Sequence, residues 1–209
     1  LGRVRVEFRQ TVFTFQPAEL RRPWEASGDR IAAQAAARKA AVDQELAASD
    51  RERKAVGTAF IEAVKNGEVL RVNEMLTAGV DINFQDLTAT RKYTRIGMRK
   101  EAGETALHWA VLRGNVGLMS QLLEAKANPA IADADGKTPL HLAAFNTQAS
   151  LAQMLVTARG DVNAQDARGD TALAYTATTS GSVRLVRILL RGGARGDVVN
   201  EEGETPLGM

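Results

Sequence analysis

Gly136-Lys137-Thr138-Pro139-Leu140-His141 is the stretch that predicts the fold, because related copies of it return along the chain at a nearly fixed distance. The other copies begin at Thr105, Thr171 and Thr205, with steps of 33, 33 and 34 residues, and a glycine precedes each start by two positions. Threonine is a favoured N-cap residue, and proline suits the first turn of a helix, where its missing N–H is not needed. The period therefore predicts stacked structural repeats, each of which opens with a helix.

A second apolar run follows the first helix in each repeat. Turns rich in glycine, aspartate and asparagine come after these runs and lead to the next repeat start. The pattern predicts two helices per repeat. The second helices are predicted at Val116 to Leu123, Leu151 to Val156 and Val183 to Leu190.

The repeated Gly-x-Thr-[Pro/Ala]-Leu starts resemble the ankyrin repeat. The resemblance implies an all-α repeat solenoid of helix-turn-helix repeats with β-turn tips, in which His108 and His141 are structural hydrogen-bonding groups at helix starts. It departs from the family pattern where Ala174 and Gly208 replace that histidine. Because the chain stops early in the last repeat, we expect the full protein to continue. The repeats are placed at residues 57–86, 103–135, 136–168 and 169–202, with the start of a fifth at residues 203–209.

Residues 1–56 lie outside the repeats and differ from them in pattern. Apolar and polar residues alternate from Val4 to Phe8 and again from Phe13 to Phe15, which is typical of β-strands. We therefore predict that residues 1–27 form an extended, strand-like segment that docks on a partner, with a small intramolecular sheet as the alternative. Residues 28–56 are rich in alanine and predict a long helical extension.

The composition excludes several kinds of chemistry. The 209 residues include no cysteine and two histidines, so disulfides, thiol catalysis and thiolate metal sites are excluded. The aspartates recur with the period of the turns and do not form a calcium loop, and there is no phosphate-binding loop. We expect no catalytic residues, no metal, no cofactor and no small-molecule substrate. No apolar run is long enough to span a membrane, so we expect a soluble chain in either the bacterial periplasm or the cytoplasm.

An insertion at residues 87–102 separates the first two repeats and holds a large share of the positive charge. The whole chain has 27 basic and 25 acidic residues, a formal net charge of +2, whereas the insertion has five basic residues and one acidic residue. We predict that it projects as a basic finger and contacts an acidic protein surface, with a solvated loop and a nucleic-acid site as the alternatives. The predicted contact residues of the finger are Arg91, Lys92, Tyr93, Arg95, Arg99 and Lys100.

The resemblance implies a non-enzymatic protein–protein interaction module, such as an adaptor, an effector or an immunity-type scaffold. In the family, the turn tips and the exposed end of the first helix usually contact the partner, and a solenoid offers a concave surface for it. Two of these positions hold apolar residues that are expected to face water, with packing under a neighbouring turn as the alternative. Nucleic-acid binding through residues 91–100 is the alternative function. The predicted contact residues outside the finger are Leu112, Arg113, Lys137, Phe145, Asn146, Arg168 and Asp170, of which Leu112 and Phe145 are the apolar pair.

Overall fold

The computed structural model describes residues 4–8, 11–15, 36, 39, 49–85, 90–94, 97–178, 182–206 and 208. The chain divides into two compact units, Leu1–Glu52 and Arg53–Met209. The first unit contains a β-hairpin, and the second contains the repeats.

The hairpin of the first unit is antiparallel. β1 (Val4–Phe8) pairs with β2 (Thr11–Phe15), so that Val4 lies opposite Phe15. The alternating residues thus form a small sheet within the chain, and docking of residues 1–27 on a partner stays a prediction. Within the predicted alanine-rich helix, Ala36 and Lys39 are helical and exposed, and the other residues from 28 to 48 lie outside the described residues.

The second unit consists of helix pairs, with a second hairpin between the first pair and the next. The hairpin joins β3 (Thr90–Thr94) to β4 (Gly97–Glu101). The fold class predicted from the period, an all-α repeat, is confirmed for these helix pairs. The first helices of the repeats are α1 (helical over the described residues 49–66, of which 53–66 belong to this unit), α3 (Ala106–Leu112), α5 (Pro139–Phe145) and α7 (Ala172–Thr178). The second helices are α2 (Val69–Thr77), α4 (Val116–Glu124), α6 (Ala149–Thr157) and α8 (Val183–Arg191).

The repeated motif forms the helix starts as predicted. Thr105 and Thr138 are N-cap residues with extended backbone, and each forms a reciprocal capping box with the histidine three positions later. The glycine two residues before each start is needed for its conformation. Gly136 has a φ of +76°, and an added Cβ there would lie 2.7 Å from the backbone nitrogen of Ala167, so no larger residue fits.

Equivalent helices of neighbouring repeats pack on each other. α3 contacts α5 and α5 contacts α7, while α4 contacts α6 and α6 contacts α8, which gives one layer of first helices and one of second helices. Side chains from every helix pair join a single apolar core between the layers, and its largest fully buried members include Phe60, Leu107, Met119, Leu140, Leu155 and Leu189. The stacking of repeats therefore buries surface that one helix pair could not bury alone.

The turns between repeats also contact each other, each one with the turn that precedes it. We call residues 133–137, 166–170 and 200–204 the tip row. The Ala134 N–H donates to the Ala102 carbonyl, the Ala167 N–H to the Asp135 carbonyl and the Glu201 N–H to the Arg168 carbonyl, each at 2.9 Å between nitrogen and oxygen. Within one tip, the Asp133 carboxylate accepts the N–H groups of Asp135 and Lys137. These aspartates therefore shape turns, which accounts for their recurrence with the period.

Candidate interaction surface

A row of half-buried side chains runs along the first helices. Trp109, Leu112 and Phe145 are each partly exposed and pack against the core. The Phe145 ring meets the Tyr175 ring of the next repeat edge to face, with ring centroids 6.0 Å apart. The sequence suggested that Leu112 and Phe145 face water. In the structure each side chain packs on the core with one part and faces the solvent with the other.

The same row begins in the first repeat with a cation. The Lys65 ammonium lies 4.6 Å from the centroid of the Trp109 ring and 3.0 Å from Oε1 of Glu62. A cation over a tryptophan face is attracted by the ring electrons, which holds the ammonium beside the apolar row. We call Lys65, Trp109, Leu112 and Phe145 the first-helix row.

A cleft of about 510 Å³ opens beside this row, between the helix-to-helix loops of repeats one and two. It is lined by residues 64–67 and 113–116. The cleft contains Arg113, whose exposed guanidinium forms no hydrogen bond or ion pair with the described residues. The predicted contact residue Arg113 is thus available to a ligand.

The cleft is open because one side chain of the repeat differs. Gln148 of repeat three extends its amide to within 3.5 Å of the Cβ position at Gly114. The residue at the same repeat position one repeat earlier, Asn115, is shorter and turns back to accept the Leu118 N–H at 3.0 Å, which caps α4. Because the Asn115 side chain is bound to its own helix, it does not extend over the loop of repeat one. The space between residues 64–67 and 113–116 therefore stays uncovered.

The predicted contact residues of the tip row differ in their availability. The Arg168 side chain is largely exposed, and Lys137 is half-buried with its ammonium 3.8 Å from Oδ2 of Asp135. Asn146, at the end of α5, is exposed. Asp170 is buried, because its carboxylate accepts the Asn200 side-chain amide at 2.9 Å and pairs with Arg168 at 3.1 Å. The Asp170 carboxylate therefore binds within the stack, and contact of this residue with a partner stays a prediction.

A polar cluster underlies Arg168. The Tyr175 hydroxyl donates to Oδ2 of Asp166 at 2.6 Å and accepts from Nη2 of Arg168 at 3.1 Å. Burial raises the pKa of Tyr175, and the hydrogen bond to Asp166 raises it further. The phenol therefore stays protonated at neutral pH and acts as a fixed donor that holds the fourth repeat to the preceding tip.

The basic finger is a hairpin with a fixed base. Arg91 lies opposite Lys100 and Lys92 opposite Arg99 on adjacent rungs, with Tyr93 opposite Met98 on the next. At the base, the Gln85 side-chain amide donates to the Gly103 carbonyl at 2.7 Å and to the Ala132 carbonyl at 2.8 Å, so the chain leaves and re-enters the stack at one place. Arg95 lies outside the described residues.

A family model for ankyrin repeats, in three copies, matches residues 60–166, which is just over half of the chain. The chain is an ankyrin repeat protein. Ankyrin repeats indicate a protein–protein interaction module in general, and domains of this kind are generally non-catalytic. The predicted bacterial origin stays a prediction.

One curated relative of this ankyrin repeat protein is the palmitoyltransferase Hip14 of Drosophila melanogaster. The two chains are 29% identical over 100 residues, which cover 38% of this chain and 16% of the relative. The match lies within the ankyrin region. The chain spans about one sixth of the length of that relative, so the likeness concerns the repeats alone.

The part of the ankyrin repeat protein that the structure describes contains neither a metal-binding group of side chains nor a membrane-spanning helix. No three histidine, aspartate or glutamate side chains in that part are grouped to hold a metal ion. None of its described helices is both long and apolar enough to cross a lipid bilayer.

Repeat register predicts a first-helix contact position for Lys65 and a place in the core between repeats for Trp109. Lys65 has the same repeat position as Leu112 and Phe145 once the 87–102 insertion is allowed for, and Trp109 has the position of Tyr175. Register therefore identifies the position of each residue but not the contact between them. Their contact across the repeat boundary depends on side-chain conformation, which the period does not fix.

Proposed function

We propose that this ankyrin repeat protein is a non-enzymatic protein-binding module that holds a partner protein against its first helices and its basic finger. Its role would be that of an adaptor, an effector or an immunity-type scaffold. The observation that carries the proposal is the first-helix row, in which the Lys65 ammonium of repeat one is followed by half-exposed apolar side chains of repeats two and three, with Arg113 exposed beside them. We assign the predicted concave surface to this row.

The chemistry of the first-helix row suits a protein partner. Binding energy in protein interfaces concentrates in a few aromatic, arginine and large apolar residues that lose their water on binding. Trp109 and Phe145 offer ring surface that is anchored on one side by the core, so little side-chain entropy is lost when a partner covers the other side. These residues would form the apolar centre of the interface.

The cations around the row favour an acidic partner. Arg113 is exposed beside the cleft, and Arg168 is exposed at the tip formed by residues 166–170. Charges at the rim of an interface contribute more to the association rate and to specificity than to affinity. We therefore infer that the partner carries carboxylates that face these side chains and the finger.

Nucleic acid is the weaker alternative for the finger. The hydrogen bond from Ala134 to Ala102 places the tip with Asp133 and Asp135 directly beside the base of the finger. A nucleic-acid binder normally presents a broad basic face that follows the phosphate backbone, and carboxylates beside the finger interrupt such a face. A short acidic protein segment needs only the finger itself.

The test is affinity purification of the full chain from its native cells, with the recovered partner quantified. Replacement of Arg113 by glutamate should lower the recovery roughly tenfold, because an exposed guanidinium is reversed in charge without loss of a contact inside the fold. The double replacement Leu112→Ser and Phe145→Ser should lower it further, with circular dichroism to confirm the helices. Leu190→Ser, which changes a half-exposed leucine of α8, is the matched control and should leave recovery unchanged. Recovery of nucleic acid alone, or equal recovery by all variants, would overturn the proposal.

A further inference from the structure

The outer edge of β3 has main-chain groups that the hairpin does not use. Two residues join Thr94 to Gly97, so this pair closes the hairpin as a hydrogen-bonded pair. Hydrogen-bonded and non-hydrogen-bonded pairs alternate along an antiparallel ladder. Arg91 and Tyr93 therefore occupy non-hydrogen-bonded rungs, and their N–H and C=O groups are directed away from β4.

The opposite edge of the hairpin faces the tip row. Ala102 follows β4 with the same alternation as Met98 and Lys100, and its carbonyl accepts the Ala134 N–H at 2.9 Å. The outward side of β4 is thus the side that meets the first tip, residues 133–137, at the base of the hairpin. Among the described residues, β3 pairs with β4 in a two-stranded sheet, so its other edge is directed away from β4.

The rungs of the hairpin carry like charges. Arg91 opposes Lys100 and Lys92 opposes Arg99, and like charges at directly opposed positions destabilise an antiparallel pair. Cationic residues on an edge strand also prevent pairing with neutral or basic strands. An acidic strand is the one kind of strand for which both effects become favourable, because its carboxylates would relieve the repulsion.

We propose that the outer edge of β3 binds an acidic, extended segment of a partner protein as a third strand. The inference rests on the proposed protein-binding function and names the part of the partner that the finger receives. Main-chain hydrogen bonds to Arg91 and Tyr93 would provide affinity, and carboxylates opposite Arg91 and Lys92, the cations of β3, would provide specificity. A nucleic acid lacks the alternating N–H and C=O groups that this edge would satisfy.

The experiment does not require the partner to be known, because it selects peptide ligands from a random library. A displayed library of random peptides of about twelve residues is panned on the full chain, a length that suits one added strand. Selected peptides should alternate acidic with β-branched residues. The dissociation constant of the best peptide is then measured with the native chain, with Tyr93→Pro and with Tyr93→Val.

The two Tyr93 variants separate the main chain from the side chain. Proline removes one outward N–H but leaves the hydrogen bonds between β3 and β4, since edge strands tolerate proline at such positions. We expect Tyr93→Pro to weaken the peptide roughly tenfold, the equivalent of one lost hydrogen bond, and Tyr93→Val to weaken it about twofold at most. A peptide methylated on alternate main-chain nitrogens should bind as weakly to the native chain.

Three results would overturn the inference: selected peptides without acidic residues, equal binding to Tyr93→Pro and Tyr93→Val, or displacement of the peptide from both variants by a single-stranded oligonucleotide. These results leave the proposed function intact as long as Arg113→Glu still loses the cellular partner. If Arg113→Glu and the double variant Leu112→Ser, Phe145→Ser both keep the partner while the Tyr93→Pro result holds, the first-helix surface fails and the finger stands. The two proposals can thus fail separately.

Discussion

Repeats three and four begin at equivalent positions but are held in different ways. In repeat three, Nδ1 of His141 accepts the Thr138 N–H at 3.0 Å, while Nε2 donates to the carbonyls of Ala164 and Asp170 at 3.0 and 3.1 Å. One imidazole thus joins a helix start to the following tip. In repeat four, Ala174 stands at that position, and the Thr171 hydroxyl accepts the Ala174 N–H at 3.3 Å without a reciprocal partner.

The fourth repeat replaces the missing imidazole with a phenol. Tyr175, the next residue, donates to the buried Asp166 carboxylate of the preceding tip. The imidazole connects forward along the chain to the tip that follows its helix, whereas the phenol connects backward to the tip that precedes it. Equivalent repeat starts are thus connected to neighbouring tips by different side chains and in opposite directions along the chain.

The largest effect is expected from His141→Ala. The change removes the four side-chain hydrogen bonds of the imidazole, leaves the buried Thr138 N–H without its acceptor and opens a cavity, so the free energy of unfolding should fall by about 3 kcal/mol. Urea denaturation followed by circular dichroism measures it. His141→Gln, which can still form the reciprocal cap, is the control and should lose less. A loss below about 1 kcal/mol for His141→Ala would show that the helix start does not depend on the imidazole.

A smaller effect is expected from Tyr175→Phe. The phenyl ring keeps its contacts with Phe145 and His141, but Oδ2 of Asp166 loses its donor, so the free energy of unfolding should fall by about 1–2 kcal/mol. In an Asp166→Asn background the same change should cost less, because no buried carboxylate remains to be satisfied. Equal costs in the two backgrounds would contradict a connection through this hydrogen bond.

The smallest effect concerns pH. Burial lowers the pKa of His141, and the nearby Asp166 and Asp133 carboxylates oppose that shift only in part. The unfolded chain therefore binds a proton more readily than the folded chain, so stability is greatest above the ordinary histidine pKa and decreases as the pH falls from 7.5 to 5.5. The contribution of His141 to this loss of unfolding free energy cannot exceed about 1.4 kcal/mol at pH 5.5, which is the cost of keeping one histidine of ordinary pKa neutral.

His141→Gln provides the comparison for the pH profile. Its unfolding free energy should decrease less over the same range, because this position no longer titrates. Burial raises the pKa of Asp133, and because this carboxyl is present in both proteins its titration cancels in the comparison. Parallel profiles for the two proteins would mean that His141 can be protonated within the fold.

Much of the fold could be predicted from residue order. The second helices predicted from Val116 and Val183 begin at those residues in the structure. The one predicted from Leu151 begins two residues earlier, at Ala149, because alanine and serine add little to an apolar pattern. The availability of contact residues was harder to predict. Asp170 occupies a tip position, but its carboxylate is buried and accepts the side-chain amide of Asn200 from the following tip.

The period, the helix starts and the place of the basic insertion follow from residue order, because caps, glycines and apolar spacing act within a few residues along the chain. Which surfaces remain available depends on how the repeats pack. The contact of Lys65 with Trp109 and the hydrogen bond of Gln85 at the base of the finger each join residues that are distant in sequence. The first cleft stays open through the side-chain conformation of Asn115. Such contacts depend on how neighbouring repeats stack, and stacking is a property of packed pairs of repeats, which no single repeat encodes.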